Sequence, residues 1–411
     1  MSKIAVIGYG VVGSGTVELF EKNKESIANK VGRDVEIKYI LDLRDFPDSP
    51  YGEKHIKDFN ILLNDKEVEV VAEVVGGVTF AYDYTKRLLE SGKSVVTSNK
   101  ELVAKKGAEL LKIAKEHNAN YLFEASVGGG IPIIRPLHKC LAGNSIEQIY
   151  GILNGTTNYI LTKMIREQMS FETALKNAQE LGYAEADPTA DVEGHDACRK
   201  ICILGSLAYG RQIDPDLVHC SGISNITASD VEYADVAGYV IKLIGSVTPV
   251  DGKLCAMVCP RLIEKKNLFS NVDDVYNAIC VKGDGVGDVI FYGRGAGKMP
   301  TASAVIGDII DALKHNERIL AISWEEAHDK SFLLDYKQAQ TAMYVRVKGE
   351  NIDSMKSGFS KMFGKLIFIE RANRPDDELA FITPVMKEAD IDENLTIISH
   401  SAVIESKLRL L

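Results

Sequence analysis

The feature that most constrains the fold is a glycine pattern directly behind the first apolar run. Ile4–Ile7 is short and rich in branched residues, and it leads into Gly8–Gly13, a G-x-G-x-x-G pattern followed by a helix-like stretch. In such a turn the first glycine permits a tight bend, the second lets backbone approach a pyrophosphate, and the third allows close helix–strand packing. Backbone N–H groups at the helix N-terminus then face the phosphate charge. The pattern predicts dinucleotide binding.

The first block of the chain, residues 1–130, alternates strand-like runs with longer amphipathic stretches such as Thr16–Asn29. The strand-like runs are Ile4–Ile7, Glu36–Leu41, Val70–Val75, Ser94–Thr97 and Asn120–Phe123. Alternation of this kind predicts an α/β fold, a Rossmann doubly wound parallel sheet covered on both faces. We expect residues 301–325 to return to this domain.

Two further blocks are expected. In residues 131–300 helix-like stretches precede strand-like runs, which predicts an α+β domain. Residues 337–411 follow the β-α-β-β-α-β order of a ferredoxin-like domain. Its expected strands are Ala342–Lys348, Lys365–Ile369, Leu379–Thr383 and Leu395–Ser399, and its expected helices are Ser354–Met362 and Val385–Ala389.

Composition excludes several classes of protein. The chain has 411 residues, 45% of them hydrophobic and 26% charged, which is typical of globular domains. The net charge of −10 argues against a nucleic-acid-binding or anionic-membrane surface. No apolar stretch approaches the ~18 residues of a membrane span, and no signal peptide is apparent. The seven cysteines complete no zinc-binding set, so we expect reduced thiols and a cytoplasmic protein.

The end of the second predicted strand bears on the choice of cofactor. Asp42 is placed to accept hydrogen bonds from an adenosine ribose, which favours NAD, whereas Arg44 is placed to pair with a 2′-phosphate, which favours NADP. Solvated loop charge is an equally good reading of both residues. The cofactor is therefore expected to be NAD or NADP, and the choice between them stays open.

Two segments of the first block carry further polar candidates. Lys100 lies just beyond a predicted strand, at the carboxyl edge where open α/β sheets bind ligands. Glu124 precedes the triplet Gly128–Gly130, whose exposed carbonyl oxygens suit a hard monovalent cation. Taken alone, the first is more often a surface lysine and the second an interdomain turn.

The segment Gly182–Lys200 is the richest in chemistry. Asp196 and Lys200 are four residues apart at the start of a predicted helix, so they share one face. Acidic residues crowd the loop before it, an arrangement able to bind the ammonium group of an amino-acid substrate while the lysine handles a proton. A solvated acidic loop with one ion pair is the simpler interpretation.

Four ordered segments resemble homoserine dehydrogenases: Gly182–Lys200, Asn154–Leu161, Glu124–Pro132 and Gly293–Ser303. The similarity extends from residue 1 to about residue 325, and the motif of Gly182–Lys200 is highly specific. The resemblance implies NAD(P)-dependent reduction of L-aspartate 4-semialdehyde to L-homoserine, a small-molecule substrate pair, in a homodimer or homotetramer. It also implies that residues 131–300 form the domain for substrate binding and dimerisation.

The resemblance also implies residue roles. Lys200 is the expected proton donor to the aldehyde oxygen, and Lys100 the expected lysine beside nicotinamide and substrate. The implied substrate-binding residues are Glu185, Asp196, Asp191 and Tyr183. The implied cofactor-binding residues are Gly8, Gly10, Val12, Gly13, Asp42, Arg44, Lys100, Gly182, Gly295 and Gly297. Repulsion between the two lysines and their partial burial are expected to lower the pKa of at least one of them toward working pH.

A sodium ion and a regulatory module are further implications. Glu124 with the carbonyls of Val127, Gly129 and Ile131 resembles the sodium site of the family. The third block resembles the ACT modules that bind an amino-acid effector through a D-x-P-G-V turn. The corresponding Gly349–Met355 has no Pro-Gly, which puts threonine regulation in doubt and leaves dimerisation as an equally good use.

Two other functions were weighed against this one. An aspartate-semialdehyde dehydrogenase needs a nucleophilic cysteine near a histidine. Cys140 and His138 are close in sequence, but their setting lacks a nucleophile-type turn. A nucleotide-sensing regulator without turnover would make the Glu185–Lys200 segment dispensable, and the intact segment argues against it.

Overall fold

Residues 1–315, 320, 322–327 and 330–411 are described by a computed structural model, and they divide into two units. The first unit contains Met1–Ile146, Cys202–Asp216 and Val281–His328. The second contains Glu147–Ile201, Leu217–Cys280 and Asp329–Leu411. The three-domain division expected from the sequence stays a prediction, and the return segment 301–325 lies partly outside the described residues.

Parallel strands form the sheet of the first unit, in the order β3-β2-β1-β4-β5-β6. The strands are β1 (Ser2–Ile7), β2 (Val35–Leu41), β3 (His55–Ile56), β4 (Val68–Glu73), β5 (Ser94–Thr97) and β6 (Tyr121–Leu122). Ile4, Val70 and Val95 are inaccessible to solvent, as expected for central strands covered on both faces. The predicted Rossmann-type sheet is confirmed.

Helices connect these strands, and one prediction about them is wrong. The helices are α1 (Val11–Lys22), α2 (Lys24–Val31), α3 (Phe59–Asn64), α4 (Thr79–Glu90), α5 (Lys100–Glu116) and, later in the chain, α11 (Lys298–Lys314). The single helix expected over Thr16–Asn29 is broken at Asn23, which has non-helical backbone angles. Asparagine favours helix ends because its short polar side chain competes for backbone hydrogen bonds.

The second unit contains a mixed sheet with the order β11-β7-β9-β10-β18-β14-β16-β15, and β8 pairs with β10. Its strands are β7 (Ile146–Ile152), β8 (His219–Cys220), β9 (Tyr239–Val250), β10 (Lys253–Glu264), β11 (Tyr276–Gly283), β14 (Met343–Lys348), β15 (Ile367–Ile369), β16 (Glu378–Ile382) and β18 (Val403–Leu410). The strand β12 (Gly287–Arg294) belongs to the first unit, and β13 (Gln340–Thr341) pairs with β17 (Met386–Lys387).

Helices precede most of these strands in the chain. They are α6 (Gly155–Glu167), α7 (Phe171–Glu180), α8 (Thr189–Val192), α9 (His195–Tyr209), α10 (Ala228–Val236), α12 (Ile352–Phe363) and α13 (Glu388–Ile398). The early grouping of helices agrees with the predicted mixture of helices and antiparallel strands. Residues of α9 from Cys202 onward are grouped with the first unit.

The C-terminal segment has the β-α-β-β-α-β order that the sequence predicts, but its last strand is displaced. Leu395–Ser399, predicted as a strand, is mostly the end of α13, and the strand is Val403–Leu410. Leu-Thr-Ile-Ile is rich in strand-forming residues. Ile391, Leu395 and Ile398, however, form a buried stripe at helical spacing, and that packing overrides the local preference.

Two absences hold for the described part of the chain. None of its helices is long and apolar enough to cross a membrane. No disulfide joins any of the seven cysteines, all of which lie in the described ranges.

Candidate active site

The glycine turn of the first unit is shaped for a phosphate group. Gly8 has a φ of 94°, in the left-handed region, and a Cβ on Gly13 would overlap the carbonyl oxygen of Gly8. Gly10 is the N-cap of α1, and a Cβ there would meet only Arg44 Nη2, at 3.8 Å. The turn is thus tightly packed between Gly8 and Gly13 and leaves space beside Gly10, at the N-terminus of α1. Val12 lies in the first turn of that helix. These residues fit a dinucleotide pyrophosphate.

Asp42, just after β2, is already fully hydrogen-bonded. Its Oδ1 accepts from the backbone N–H and the Nε of Arg44, each at 3.0 Å. Its Oδ2 accepts from the backbone N–H of Tyr9 at 2.7 Å and from Arg44 Nη2 at 2.8 Å. The Arg44 guanidinium holds the pKa of Asp42 well below its usual range. Arg44 is 64% exposed at its side chain, so its cation faces solvent beside the glycine turn.

Lys100 is the first residue of α5 and is half-buried. Asn99 caps that helix by accepting from the backbone N–H of Leu102 at 3.0 Å, and its Nδ2 donates to the carbonyl of Val75 at 3.0 Å. The cap therefore ties the start of α5 to the chain after β4. This places Lys100 at the carboxyl edge of the sheet, as the sequence predicts.

Glu73, at the end of β4, is a buried carboxylate that the sequence analysis did not select. It is inaccessible to solvent and accepts from Thr97 Oγ1 at 2.7 Å and from the backbone N–H of Val75 at 2.8 Å. Burial raises the pKa of Glu73 to about 7. Glu73 is the last residue of β4, and Gly8 follows the last residue of β1, so both lie at the carboxyl edge of the parallel sheet.

The proposed sodium ligand Glu124 is also fully hydrogen-bonded. Its Oε1 accepts from the backbone N–H groups of Ile133 and Ile134 at 2.6 and 2.8 Å. Its Oε2 accepts from the N–H and the Nε of Arg135 at 2.8 and 3.1 Å. A carboxylate offers about four lone-pair sites. The carboxylate therefore does not fit the role of cation ligand, and only main-chain carbonyls in this loop suit a cation.

The loop that contains Gly129 packs against a predicted cofactor loop. A Cβ on Gly129 would lie 2.6 Å from the carbonyl oxygen of Gly295, and the N–H of Gly130 donates to the carbonyl of Arg294 at 3.1 Å. Gly297, with a φ of 124°, is the N-cap of α11. Val127 and Ile131 are buried on either side of the glycines. Within the described residues, no group of three or more His, Cys, Asp or Glu is arranged for a metal.

In the second unit, four residues form a cluster that we call the lysine cluster: the buried Asn154, Asp196 and Lys200 and the half-buried Asp191. Lys200 Nζ donates to Asp196 Oδ2 at 2.7 Å, so the ion pair expected from their spacing on α9 is present. The same ammonium donates to the carbonyl of Leu153 at 2.7 Å. Lys200 is 7% exposed and Asp196 is 5% exposed. These contacts fix the ammonium in one direction.

Asn154 is the member of the lysine cluster that the sequence analysis missed as a site residue. Its Nδ2 donates to Asp191 Oδ1 and to Asp196 Oδ2, each at 2.8 Å. Its Oδ1 accepts from the backbone N–H of Thr157 at 2.8 Å and caps α6. An asparagine directly before a predicted helix is a capping signal, but its bonds across 37 and 42 residues leave no mark in local sequence.

The remaining predicted substrate residues differ in burial. Asp191 is half-buried, and burial together with the charge of Asp196 raises its pKa. Gly182, Tyr183 and Glu185 lie on an exposed turn. The carbonyl of Tyr183 accepts from Thr156 Oγ1 at 2.6 Å, which ties that turn to the start of α6. The structure thus groups Asp191, Asp196 and Lys200 closely and places Glu185 on the adjoining surface.

Comparison with known proteins gives a consistent family. Residues 8–124 match the family described as "Homoserine dehydrogenase, NAD binding domain", and residues 132–310 match "Homoserine dehydrogenase". The homoserine dehydrogenases of Corynebacterium glutamicum and Bacillus subtilis are 35% and 36% identical to the chain. Each alignment covers 98% of this chain, and they cover 93% and 96% of the two relatives.

Solved structures give the same result. A homoserine dehydrogenase from Thiobacillus denitrificans has a TM-score of 0.89 at 33% identity, covering 100% of this chain and 98% of that one. A hyperthermophilic archaeal homoserine dehydrogenase in complex with NADPH has a TM-score of 0.64 at 29% identity, covering 76% of this chain and 97% of that one.

Proposed function

Because the chain belongs to the homoserine dehydrogenase family, we propose that Lys200 exchanges the proton when the enzyme interconverts L-aspartate 4-semialdehyde and L-homoserine. The chain is an NAD(P)-dependent oxidoreductase of that family. Membership disfavours the alternative of a nucleotide-sensing regulator without turnover. The observation that carries the proposal is the buried Lys200 ammonium, held by Asp196 and the carbonyl of Leu153.

The reaction needs a hydride at the carbonyl carbon and a proton at its oxygen. A bound nicotinamide cofactor supplies or accepts the hydride. An ammonium aimed at the carbonyl oxygen stabilises the developing alkoxide and protonates it during reduction. In the oxidation of homoserine the neutral lysine takes the hydroxyl proton instead. We assign this work to Lys200, and on the family resemblance we assign Lys100 as a second cation acting on substrate.

The carboxylates are proposed to bind the substrate ammonium group. Asp191 and Asp196 together carry two negative charges against the single positive charge of Lys200, which leaves the lysine cluster with a net negative charge. Such a site favours a cationic amino group. Glu185 and Tyr183, on the adjoining exposed turn, are proposed as further substrate contacts.

The cofactor is proposed to lie on the glycine turn, with NADP preferred over NAD. Gly8, Gly10 and Gly13 suit the pyrophosphate, as do Val12 and the glycine loop of Gly295 and Gly297. Gly182 is proposed as a further cofactor contact. All four hydrogen-bonding sites of the Asp42 carboxylate are taken by Tyr9 and Arg44. A ribose hydroxyl therefore has no site there, whereas the exposed Arg44 guanidinium suits a 2′-phosphate.

The C-terminal segment is proposed to be an ACT-like module used for assembly, with threonine regulation weakened or absent. The helix α12 begins after Asn351, which caps it by accepting from the backbone N–H of Ser354 at 2.9 Å. This asparagine stands where a Pro-Gly turn is expected in effector-binding modules. The homodimer or homotetramer and the cytoplasmic location stay predictions.

Initial rates with homoserine test the function. Reduced nicotinamide is followed by absorbance with NAD or NADP, in the presence and absence of threonine. We expect turnover with homoserine, a higher kcat/KM with NADP, and little effect of threonine. Folded protein that gives no turnover with either cofactor would contradict the proposal, and faster turnover with NAD would contradict the role given to Arg44.

A further inference from the structure

The side-chain amide of Asn154 makes hydrogen bonds near the proposed reacting groups that helix capping does not explain. Its position after β7 gives it extended backbone angles, with a φ of −131° and a ψ of 124°, immediately before α6. Asn154 is 5% exposed. Helix capping uses only the side-chain oxygen. The amide nitrogen is left to a second task.

That second task is a bridge between two carboxylates. The two N–H groups of Asn154 Nδ2 point to Asp191 Oδ1 and Asp196 Oδ2, each at 2.8 Å. The orientation is chemically determined, because two carboxylate acceptors require the NH₂ side and the N–H of Thr157 requires the oxygen side. Asp196 Oδ2 also accepts from Lys200 Nζ at 2.7 Å. Asn154 therefore shares one acceptor oxygen with the lysine.

The bridge resolves an electrostatic conflict. Asp191 and Asp196 repel each other, and each would gain a proton more easily without a donor between them. A neutral amide lowers this repulsion without adding a charge that would bind the substrate ammonium or repel it. Burial and the charge of Asp196 raise the pKa of Asp191, whereas Asn154, the Thr156 side chain and the charge of Lys200 lower it.

We propose that Asn154 is a positioning residue for the reaction, whose amide holds the two carboxylates together and holds Lys200, through Asp196, in the direction that proton transfer requires. The inference rests on the proposed function of Lys200. The preceding residue supports the same geometry, because the carbonyl of Leu153 accepts from Lys200 Nζ at 2.7 Å. One strand–helix junction thus holds both the lysine and its counter-ions.

The substitution Asn154→Asp separates the two tasks of this side chain. Aspartate is as good a helix cap as asparagine, so the bond to Thr157 is kept. The two donated bonds are lost, and a third carboxylate enters the lysine cluster. The added negative charge raises the pKa of Lys200, which must be neutral before it can take the hydroxyl proton of homoserine.

The expected result is a shift of the pH–rate profile. The pH at which homoserine oxidation reaches half of its maximal kcat/KM rises by about one unit or more, and kcat/KM below that pH falls about tenfold. The matched control is Asn351→Asp, the same substitution at an exposed cap of α12, which is expected to leave the profile unchanged. A folded Asn154→Asp enzyme with the wild-type profile would overturn the proposal.

Urea unfolding of a second variant tests the proposal even if Asn154→Asp is inactive or does not fold. Asn154→Ser keeps a capping oxygen and removes both donated bonds without adding charge. The pKa of Asp191 should rise further, so the folded state binds a proton that the unfolded state has lost, and the urea midpoint falls more steeply than in wild type as the pH rises above about 4. The same slope as in wild type, or a variant that does not fold, would show that the amide serves the fold alone.

The failure of this inference is distinguishable from that of the proposed function. Wild-type protein without homoserine turnover contradicts the function. Wild-type turnover with an unshifted Asn154→Asp profile contradicts only the bridge. The urea measurement on Asn154→Ser tests the bridge in either case.

Discussion

The lysine cluster and a second buried ionic group in the same unit differ in their balance of charge. The second group, which we call the arginine cluster, consists of Asp230, Arg346, Arg371 and Glu378. Arg346 Nε donates to Asp230 Oδ1 at 2.9 Å, and its Nη1 donates to Glu378 Oε2 at 3.0 Å. Arg371 Nη2 donates to the other oxygen of Glu378 at 3.0 Å. Two buried carboxylates here meet two guanidinium groups, and the more exposed Glu232 and Glu405 also pair with Arg371 and Arg346.

The bonds of the arginine cluster join α10 to β14 and β16. Tyr344 OH donates to Asp230 at 3.1 Å, and Tyr233 OH donates to Glu378 at 2.9 Å. Burial opposes ionisation of Glu378, but the bonds from Arg371, Tyr233 and Arg346 prevail and lower its pKa. This pattern is typical of a structural network, in which every charge has a partner of opposite sign.

The lysine cluster has two carboxylates against one ammonium, and a neutral amide stands where the arginine cluster has a second cation. Burial of charge alone therefore does not identify a reactive site. An unbalanced charge does, because it leaves an attraction that a substrate ion can satisfy. Three substitutions test how far this contrast holds.

Removal of the central cation of the arginine cluster should have the largest effect. Arg346→Met removes the guanidinium group that the buried carboxylates of Asp230 and Glu378 share. We expect the free energy of unfolding to fall by about 3–5 kcal/mol. The kcat/KM of the folded fraction should stay within about twofold of wild type. Urea unfolding and initial rates measure the two quantities.

A matched control exists on the same strand. Lys348, whose side chain is 40% exposed, lies 3.8 Å from Glu405, and Lys348→Met should cost less than about 1 kcal/mol. If Arg346→Met remains folded yet loses most of its activity, the arginine cluster is part of the reaction and the contrast fails.

Glu73 extends the comparison to a carboxylate whose bonds come from neutral donors. Because its folded pKa is raised to about 7 from an ordinary value of 4.5, the folded state holds its proton longer than the unfolded state. Its contribution to stability is therefore present at low pH and is lost as the pH rises from about 4.5 to 7, by about 3 kcal/mol at most. Glu73→Gln should remove that pH dependence in urea unfolding at pH 5 and pH 7.5.

Glu69→Gln, on the same strand and partly exposed beside Arg33, is the control and should leave the dependence intact. An unchanged pH dependence in Glu73→Gln would mean that Glu73 is ionised in the folded state at neutral pH.

The smallest effect is expected at the pair of Asp42 and the exposed Arg44. Arg44→Ala removes the cation and releases the Asp42 carboxylate for a ribose, so the ratio of kcat/KM for NADP to that for NAD should fall about tenfold, or about 1.4 kcal/mol. Initial rates with both cofactors measure this ratio. A ratio that stays constant would place the 2′-phosphate elsewhere.

Local patterns predicted the parts of the molecule that depend on local spacing. The glycine turn of residues 8–13 and the Asp196–Lys200 pair follow from fixed distances along one turn and one helix. The βαββαβ order was also readable, but the position of its last strand was not. At Leu395–Ser399 the choice between helix and strand depends on which face packs against the sheet.

Long-range bonds could not be read in this way. The carboxylate of Glu124 stands beside glycines in the sequence, as a cation ligand would, but the N–H groups of residues 133–135 occupy it. Asn154 reads as a helix cap, and its bridge to Asp191 and Asp196 depends on how three elements fold together. The roles of Glu124 and Asn154 therefore depend on which hydrogen-bond donors and acceptors the fold brings next to them.

Lys200→Ala removes the group that we propose transfers the proton. The quantities to measure are kcat for homoserine oxidation as a function of pH, and the urea midpoint that shows the variant to be folded. We expect kcat to fall by a factor on the order of 10² or more and the rise of activity with pH to disappear. A folded variant with wild-type kcat and the wild-type pH profile would contradict that role of Lys200.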